Sequence, residues 1–223
     1  MTAMRASPVA RALATLGVTW QDHRGMPMAM RVGDDDGAVA SRLGVCDLSA
    51  LTRTGLKGPG AASWLAARGI DVPDHPNTWV PLAGGGLIAR LARSEFLLED
   101  GPAGDTAIRL AAELHAGIDG VTPVRRQDCA LALVGDRVGE LLAQTCNVDF
   151  SSRPTGHRAV TLTMMVGLSV AILRREAASM PGYRLWCDAT AGAYLWETLT
   201  QIAGELGGGP VGAALLLDSF TPP

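Results

Sequence analysis

A short strand that turns at glycine into a helix occurs twice in this chain, and that repetition limits the possible folds more than any other feature. Leu56-Lys57-Gly58-Pro59-Gly60 runs into Ala61, Trp64 and Leu65, and Leu133-Val134-Gly135-Asp136 runs into Val138, Leu141 and Leu142. The triplets share i, i+3, i+4 spacing, so each following helix presents one apolar stripe. Pro59 suits the first helical position of one helix, and Asp136 suits the N-cap of the other. A second repeat follows each of these units. Residues 87–92 and 95–100 read as a hairpin leading to a helix over 105–116. Residues 168–174 and 183–188 read as another, leading to a helix over 191–206. Asp100 and Asp188 occupy matching places. Leu195, Leu199, Ile202 and Leu206 trace one face of the later helix, and Gly207-Gly208-Gly209-Pro210 stops it.

The expected fold class is therefore α+β. Two pseudo-repeated β-α-β-β-α units, roughly 45–117 and 128–206, form mainly antiparallel sheets with packed helices. The expected domain layout is an N-terminal helix and strand extension (1–44), a first unit (45–120), and a second unit with a short C-terminal tail (121–223), together one compact domain. Ser7-Pro8 followed by Val9, Leu13 and Leu16 predicts a capped helix that ends at Gly17. Residues 18–44 add a strand with Met26, Met28 and Met30 on one face, then a short helix after Asp34-Asp35-Asp36.

Charge narrows the partners. Nineteen basic residues against 22 acidic ones give a net charge of −3. With no basic block, nucleic acid and anionic membrane are poor partners. No run approaches the ~18 apolar residues of a membrane span; the most apolar segment, 161–173, is interrupted by Gly167 and Ser169. The first twenty residues lack a secretory apolar core. Cys46, Cys129, Cys146 and Cys187 lie far apart with no metal-ligand spacing, which predicts small core residues, no disulfides and a reducing, cytoplasmic setting. Charged residues make up 18% of the chain, against ~25% in typical domains. Such a chain is alanine-padded or leaves surface for a partner to bury.

Chemistry is sparse. His23, His75, His115 and His157 sit in no recognisable catalytic context, and His115 at a helix end suits the dipole. Gly84-Gly85-Gly86 precedes no helix, and Pro59 removes an amide donor from the Gly58–Gly60 turn, so neither reads as a phosphate cradle. Asp34-Asp35-Asp36 reads as cap and dipole partner rather than a cation loop. Arg125-Arg126 and Arg174-Arg175 read as solvated strand ends. No catalytic, cofactor-binding or metal residue is assigned, and a chain of this composition without a site reads as a subunit.

Gly44-Val45-Cys46-Asp47-Leu48-Ser49 followed by Gly55-Leu56-Lys57-Gly58-Pro59-Gly60 resembles the folate-binding aminomethyltransferase family, the glycine-cleavage T-proteins. Arg93–Leu98, Gln144–Asp149, Tyr183–Asp188, Tyr194–Leu199 and Gly208–Gly212 are similar to one branch, the gamma subunits of heterotetrameric sarcosine oxidase. The resemblance covers about 42–212. It implies a T-protein folate-binding-domain-like fold without the C-terminal barrel, which would begin just after Gly212.

Two departures bear on mechanism. Where active relatives carry an Asp-Asp step after the glycine pair, this chain has Ala89-Arg90. Where they carry a pterin-binding acid, it has Arg184, downstream of Arg174-Arg175-Glu176. Arg90, Arg174 and Arg184 are thus expected in a vestigial pocket or a partner contact. The resemblance implies a noncatalytic role beside alpha, beta and delta subunits, which hold the FAD, FMN, NAD, tetrahydrofolate and zinc; this chain would hold no cofactor. Such complexes oxidatively demethylate sarcosine to glycine, with hydrogen peroxide and formaldehyde or methylenetetrahydrofolate as further products. The alternative is a stand-alone folate-dependent aminomethyltransferase-like protein. An iron–sulfur accessory role ranks last, because the Lys-Gly-Cys-Tyr-x-Gly-Gln segment of that branch has no counterpart.

Overall fold

The computed structural model describes residues 5–115, 117–151, 158–177 and 179–220. From the N-terminus come α1 (Ala10–Leu13), the strands β1 (Thr19–His23) and β2 (Met26–Arg31), α2 (Asp36–Leu43) and β3 (Gly44–Asp47). Then follow β4 (Arg53–Lys57), α3 (Ala61–Ala66), β5 (Thr78–Leu82), β6 (Gly86–Ala92), β7 (Glu95–Glu99), α4 (Thr106–Leu114) and β8 (Thr122–Val124). The later half runs β9 (Cys129–Val134), α5 (Val138–Thr145), β10 (Val160–Met165), β11 (Leu168–Arg174) and β12 (Gly182–Cys187). It closes with α6 (Gly192–Glu205), β13 (Gly209–Pro210) and α7 (Ala214–Phe220). Both strand–helix–hairpin–helix repeats are present in an α+β fold with antiparallel sheets.

The chain divides into two compact units. Of the described residues, one unit takes those that fall within 1–50, 128–157 and 162–219, and the other those within 51–127, 158–161 and 220–223. In the first, six strands run in the order β10-β11-β12-β9-β3-β13, with a separate β1–β2 hairpin. The central ladder pairs Gly182 with Val134 through to Cys187 with Cys129. Leu131, Leu133, Ile172 and Leu185 on this sheet bury against Leu141 and Leu142 of α5 and Leu195 and Leu199 of α6. Fully burying one such leucine is worth ~1.5–3 kcal/mol, so the helical stripes read from the sequence anchor this layer. In the second unit five strands run β5-β6-β7-β4-β8. Leu56, Ile88, Phe96 and Leu98 pack there with Trp64 and Leu65 of α3 and Leu110 and Leu114 of α4.

The repeat extends to backbone conformation. Gly58 and Gly135 both turn at positive φ, 125° and 115°. A Cβ on Gly58 would lie 2.3 Å from the Gly120 carbonyl oxygen, and one on Gly135 2.4 Å from that of Ala40. Only glycine allows so close a backbone approach.

Several local expectations differ. The helix after Pro59 starts at Ala61 with Gly60 as its N-cap, so Pro59 lies in the turn before it. Arg137, not Asp136, is the N-cap of α5, and Asp136 instead donates its backbone N–H to the Ser41 carbonyl. Asp35 takes the N-cap position of α2 without a side-chain bond; Asp36 Oδ2 instead accepts from the amides of Val32 at 3.1 Å and Gly212 at 2.9 Å. That carboxylate ties two distant chain segments, a task local capping rules do not encode. The Ser7-Pro8 helix is one turn of α-helix, with Ser7 Oγ accepting from Val9 N at 3.2 Å. Met26 and Met28 are buried and Met30 half-buried on β2. Among the described residues, no helix is long and apolar enough to cross a membrane.

Candidate functional site

The arginines marked by the sequence have three different settings. Arg90 lies on β6 opposite Thr78 and Phe96. Its Nη1 donates to the carbonyls of Pro73 and Asp74, both at 2.9 Å, while Nη2 and Nε donate to the Arg93 carbonyl at 2.6 and 3.2 Å. The guanidinium also lies 5.4 Å from the Phe96 ring. The fixed fork thus clamps the 73–74 loop to the β6–β7 turn. All these acceptors are neutral carbonyl oxygens. Ala89 beside it is wholly buried between Trp79 and Leu97 across the sheet. A methyl group at that place can neither accept nor deliver a proton.

Arg184 belongs to the other unit, on β12 opposite Leu173 and Ala132, and is 1% exposed. Nη1 donates to the Leu131 carbonyl at 3.0 Å, and the guanidinium lies 5.5 Å from the Trp186 ring. Nearby on β3, Asp47 is buried and its Oδ1 accepts from Ser49 N at 3.0 Å. Burial, and then the Asp47 carboxylate, push the Cys46 thiol far above its ordinary value, with the Arg184 charge opposing them. A buried cation and a buried anion therefore act on one thiol, and the thiol stays protonated. A buried cation needs such compensation to be tolerated.

Arg174 ends β11 opposite Tyr183. Because Leu173 is the partner of Arg184, strand alternation puts Arg174 and Arg184 on opposite faces of this ladder. Arg174 Nη2 lies 3.6 Å from Glu176 Oε1 and lines a cleft of about 300 Å³ with Asp136, Asp149, Phe150 and Tyr183. The two rings meet edge-on at 5.4 Å. The cleft wall offers charge of both signs, and on it Asp149 Oδ1 accepts from Ser151 Oγ at 2.6 Å and Ser151 N at 2.8 Å, a contact within one turn.

The remaining sequence candidates take structural places. His115 caps α4, its Nδ1 2.6 Å from the Ala111 carbonyl. The His75 carbonyl accepts from Thr78 Oγ1 at 2.6 Å, and His23 ends β1. His157 lies outside the described residues. Gly84-Gly85-Gly86 joins β5 to β6 through a single 3-10 turn, and a Cβ on Gly101 would fall 2.1 Å from the Gly84 carbonyl oxygen. The run serves close backbone packing. Arg126 Nη2 pairs with Glu95 Oε1 at 2.8 Å. Among the described residues, no group of three or more His, Cys, Asp or Glu side chains is placed to hold a metal.

One buried charge pair escaped the sequence reading. Arg53 Nη1 meets Glu99 Oε2 at 3.2 Å across β4 and β7, with both side chains almost wholly buried. Its signal lay in the register of the first hairpin against β4, which periodicity alone does not provide.

The fold is aminomethyltransferase-like. It is that of the glycine-cleavage T-protein, shared with a chain of heterotetrameric sarcosine oxidase. The glycine cleavage system aminomethyltransferase T of Bartonella henselae superposes with a TM-score of 0.71 at 16% identity, over 96% of this chain and 61% of that one. A chain of the heterotetrameric sarcosine oxidase of Corynebacterium sp. U-96 superposes with a TM-score of 0.68 at 19% identity, over 93% of this chain and 98% of that one. In sequence, an aminomethyltransferase of Streptomyces avermitilis is 26% identical over 214 residues. That match takes in 89% of this chain, which spans only 57% of the Streptomyces protein. No protein-family profile matches the chain.

Proposed function

We propose that this chain is a noncatalytic, gamma-type subunit of a cytoplasmic sarcosine oxidase or a close amine-demethylating relative. One observation carries the reading: the fold is shared with a chain of a heterotetrameric sarcosine oxidase, while the Ala89-Arg90 step carries no carboxylate. The residues support it. Ala89, Arg90 and Arg184 stand where the resemblance expects carboxylates, and their side chains offer no acceptor for the N–H groups of a pterin. They do not fit tetrahydrofolate, so no folate-dependent step is assigned here. In this reading FAD, FMN, NAD, tetrahydrofolate and zinc belong to alpha, beta and delta partners, and this subunit buries apolar surface on them and fixes their geometry.

The alternative, a stand-alone folate-dependent aminomethyltransferase, has in its favour the Streptomyces enzyme of that name. It lacks a carrier for acid–base chemistry at Ala89-Arg90. Coexpression with sarcosine oxidase alpha, beta and delta subunits separates the two. The expected outcome is a stoichiometric complex that oxidises sarcosine and that loses assembly when this chain is omitted. A stable monomer that ignores those partners overturns the proposal.

A further inference from the structure

Across the β9–β12 ladder Cys129 stands directly opposite Cys187, and we propose that this pair is a reversible oxidation site which a hydroperoxide closes to a disulfide. Directly opposed residues of an antiparallel pair have Cα atoms ~4.5–5.5 Å apart, within the ~4.4–6.8 Å that disulfides span. Their Cβ atoms, ~4.5–5.5 Å apart in such pairs, must draw in to ~3.8 Å. The bond that forms is therefore strained and readily reduced, as switchable disulfides are and structural ones are not. The other two cysteines have no such opposite number: Cys46 pairs with Ala132, and Cys146 bridges to Met165.

The surroundings give the two sulfurs different parts. Cys129 is wholly buried beneath the start of α6, where a Cβ on Gly192 would lie 2.9 Å from its Sγ. Ser49 Oγ, 3.9 Å from that sulfur, fixes the strand by accepting from Ala130 N at 3.0 Å. Cys187 ends β12 next to the exposed Asp188, and its Sγ lies 3.4 Å from the Asp188 carbonyl. Contact between the two thiols holds Cys187 below its ordinary value, against burial and the Asp188 and Asp128 carboxylates, and raises Cys129 well above its own. Both sulfurs are buried, but Cys187, 4% exposed at the strand end against none for Cys129, is the one the oxidant reaches first, and Cys129 resolves.

The chemistry balances. The Cys187 thiolate attacks the hydroperoxide, the O–O bond breaks, and the departing oxygen leaves as alcohol or water after taking a proton. Cys187 becomes a sulfenic acid. The Cys129 sulfur then attacks that sulfur, the S–O bond breaks, and the hydroxyl leaves with the Cys129 proton as water. Two thiols are oxidised to one disulfide and one hydroperoxide is reduced. Sarcosine oxidation would release an oxidant of this class, but the geometry of the pair is independent of that reading.

The test is peptide mapping of the purified full chain after treatment with hydrogen peroxide and alkylation. Titratable thiols should fall from four to two, with the Cys129 and Cys187 peptides joined and then released by dithiothreitol. Cys187→Ser should abolish the cross-link, and Cys46→Ser should leave it in place. The wild-type map decides the matter even where a variant folds poorly. Four surviving thiols, a cross-link to Cys46 or Cys146, or a sulfinic acid on Cys187 with Cys129 still alkylatable would each overturn the proposal.

Discussion

Arg53 and Glu99 show how single residues trade stability in this chain. Both side chains are almost wholly out of water, and each makes the other tolerable. Glu99→Ala strips a buried guanidinium of its carboxylate, and breaking such a pair costs ~3–5 kcal/mol. The expected outcome is a fall of that size in unfolding free energy, read from the denaturant midpoint, whereas replacing both partners by apolar residues of similar volume should cost far less. A loss below about 1 kcal/mol for Glu99→Ala would mean water reaches Arg53. Arg90 differs in kind. It satisfies its fork on four carbonyl contacts, so its charge holds a loop in place without a counter-ion.

At the scale of elements, the matching of Asp100 with Asp188 acquires a physical meaning. Asp100 is buried, and its two carboxylate oxygens accept from Ala107 N at 2.8 Å and Ile108 N at 3.3 Å, in the first turn of α4. Asp188 accepts from Thr190 N at 2.8 Å at the turn leading into α6, and the Thr190 hydroxyl and amide hold its carboxyl below the usual range. Both hairpins thus hand the chain to a helix through an aspartate that satisfies exposed amides. Asp100→Ala should destabilise by ~1–2 kcal/mol, with amide exchange accelerated first at Ala107 and Ile108. Uniform acceleration across the whole unit would contradict a local capping role.

Elements with strong periodicity were legible in the sequence: the hairpins, α4, α5 and α6 follow from apolar spacing. Short strands such as β5 and β8 were not, because five and three residues with mixed burial carry no clear alternation. The aspartate run before α2 did mark the cap position, at Asp35, but the cap of α5 falls at Arg137 rather than Asp136. Which amide an acid reaches there depends on segments far away in sequence, as Asp36 and Gly212 show.

At the scale of the whole molecule, the repeat and the motif series pointed to an aminomethyltransferase-like fold, and the structural likenesses agree. The site was legible only as substitutions. Arg90, Arg174 and Arg184 could be picked out from the resemblance, but their separate settings depend on tertiary pairing: carbonyl acceptors for Arg90, a buried sheet position for Arg184, a cleft wall for Arg174. A scaffold that has exchanged proton-handling side chains for a methyl group and satisfied guanidinium groups retains shape and surface. On the proposed reading, such a scaffold holds other chains.

Titration calorimetry of the isolated chain with tetrahydrofolate tests this most directly. The account predicts no saturable heat up to millimolar ligand, because Ala89 and Arg184 present nothing that a pterin can hydrogen-bond as donor. Saturable binding at micromolar concentration would contradict it and would return the chain to the ranks of the working transferases.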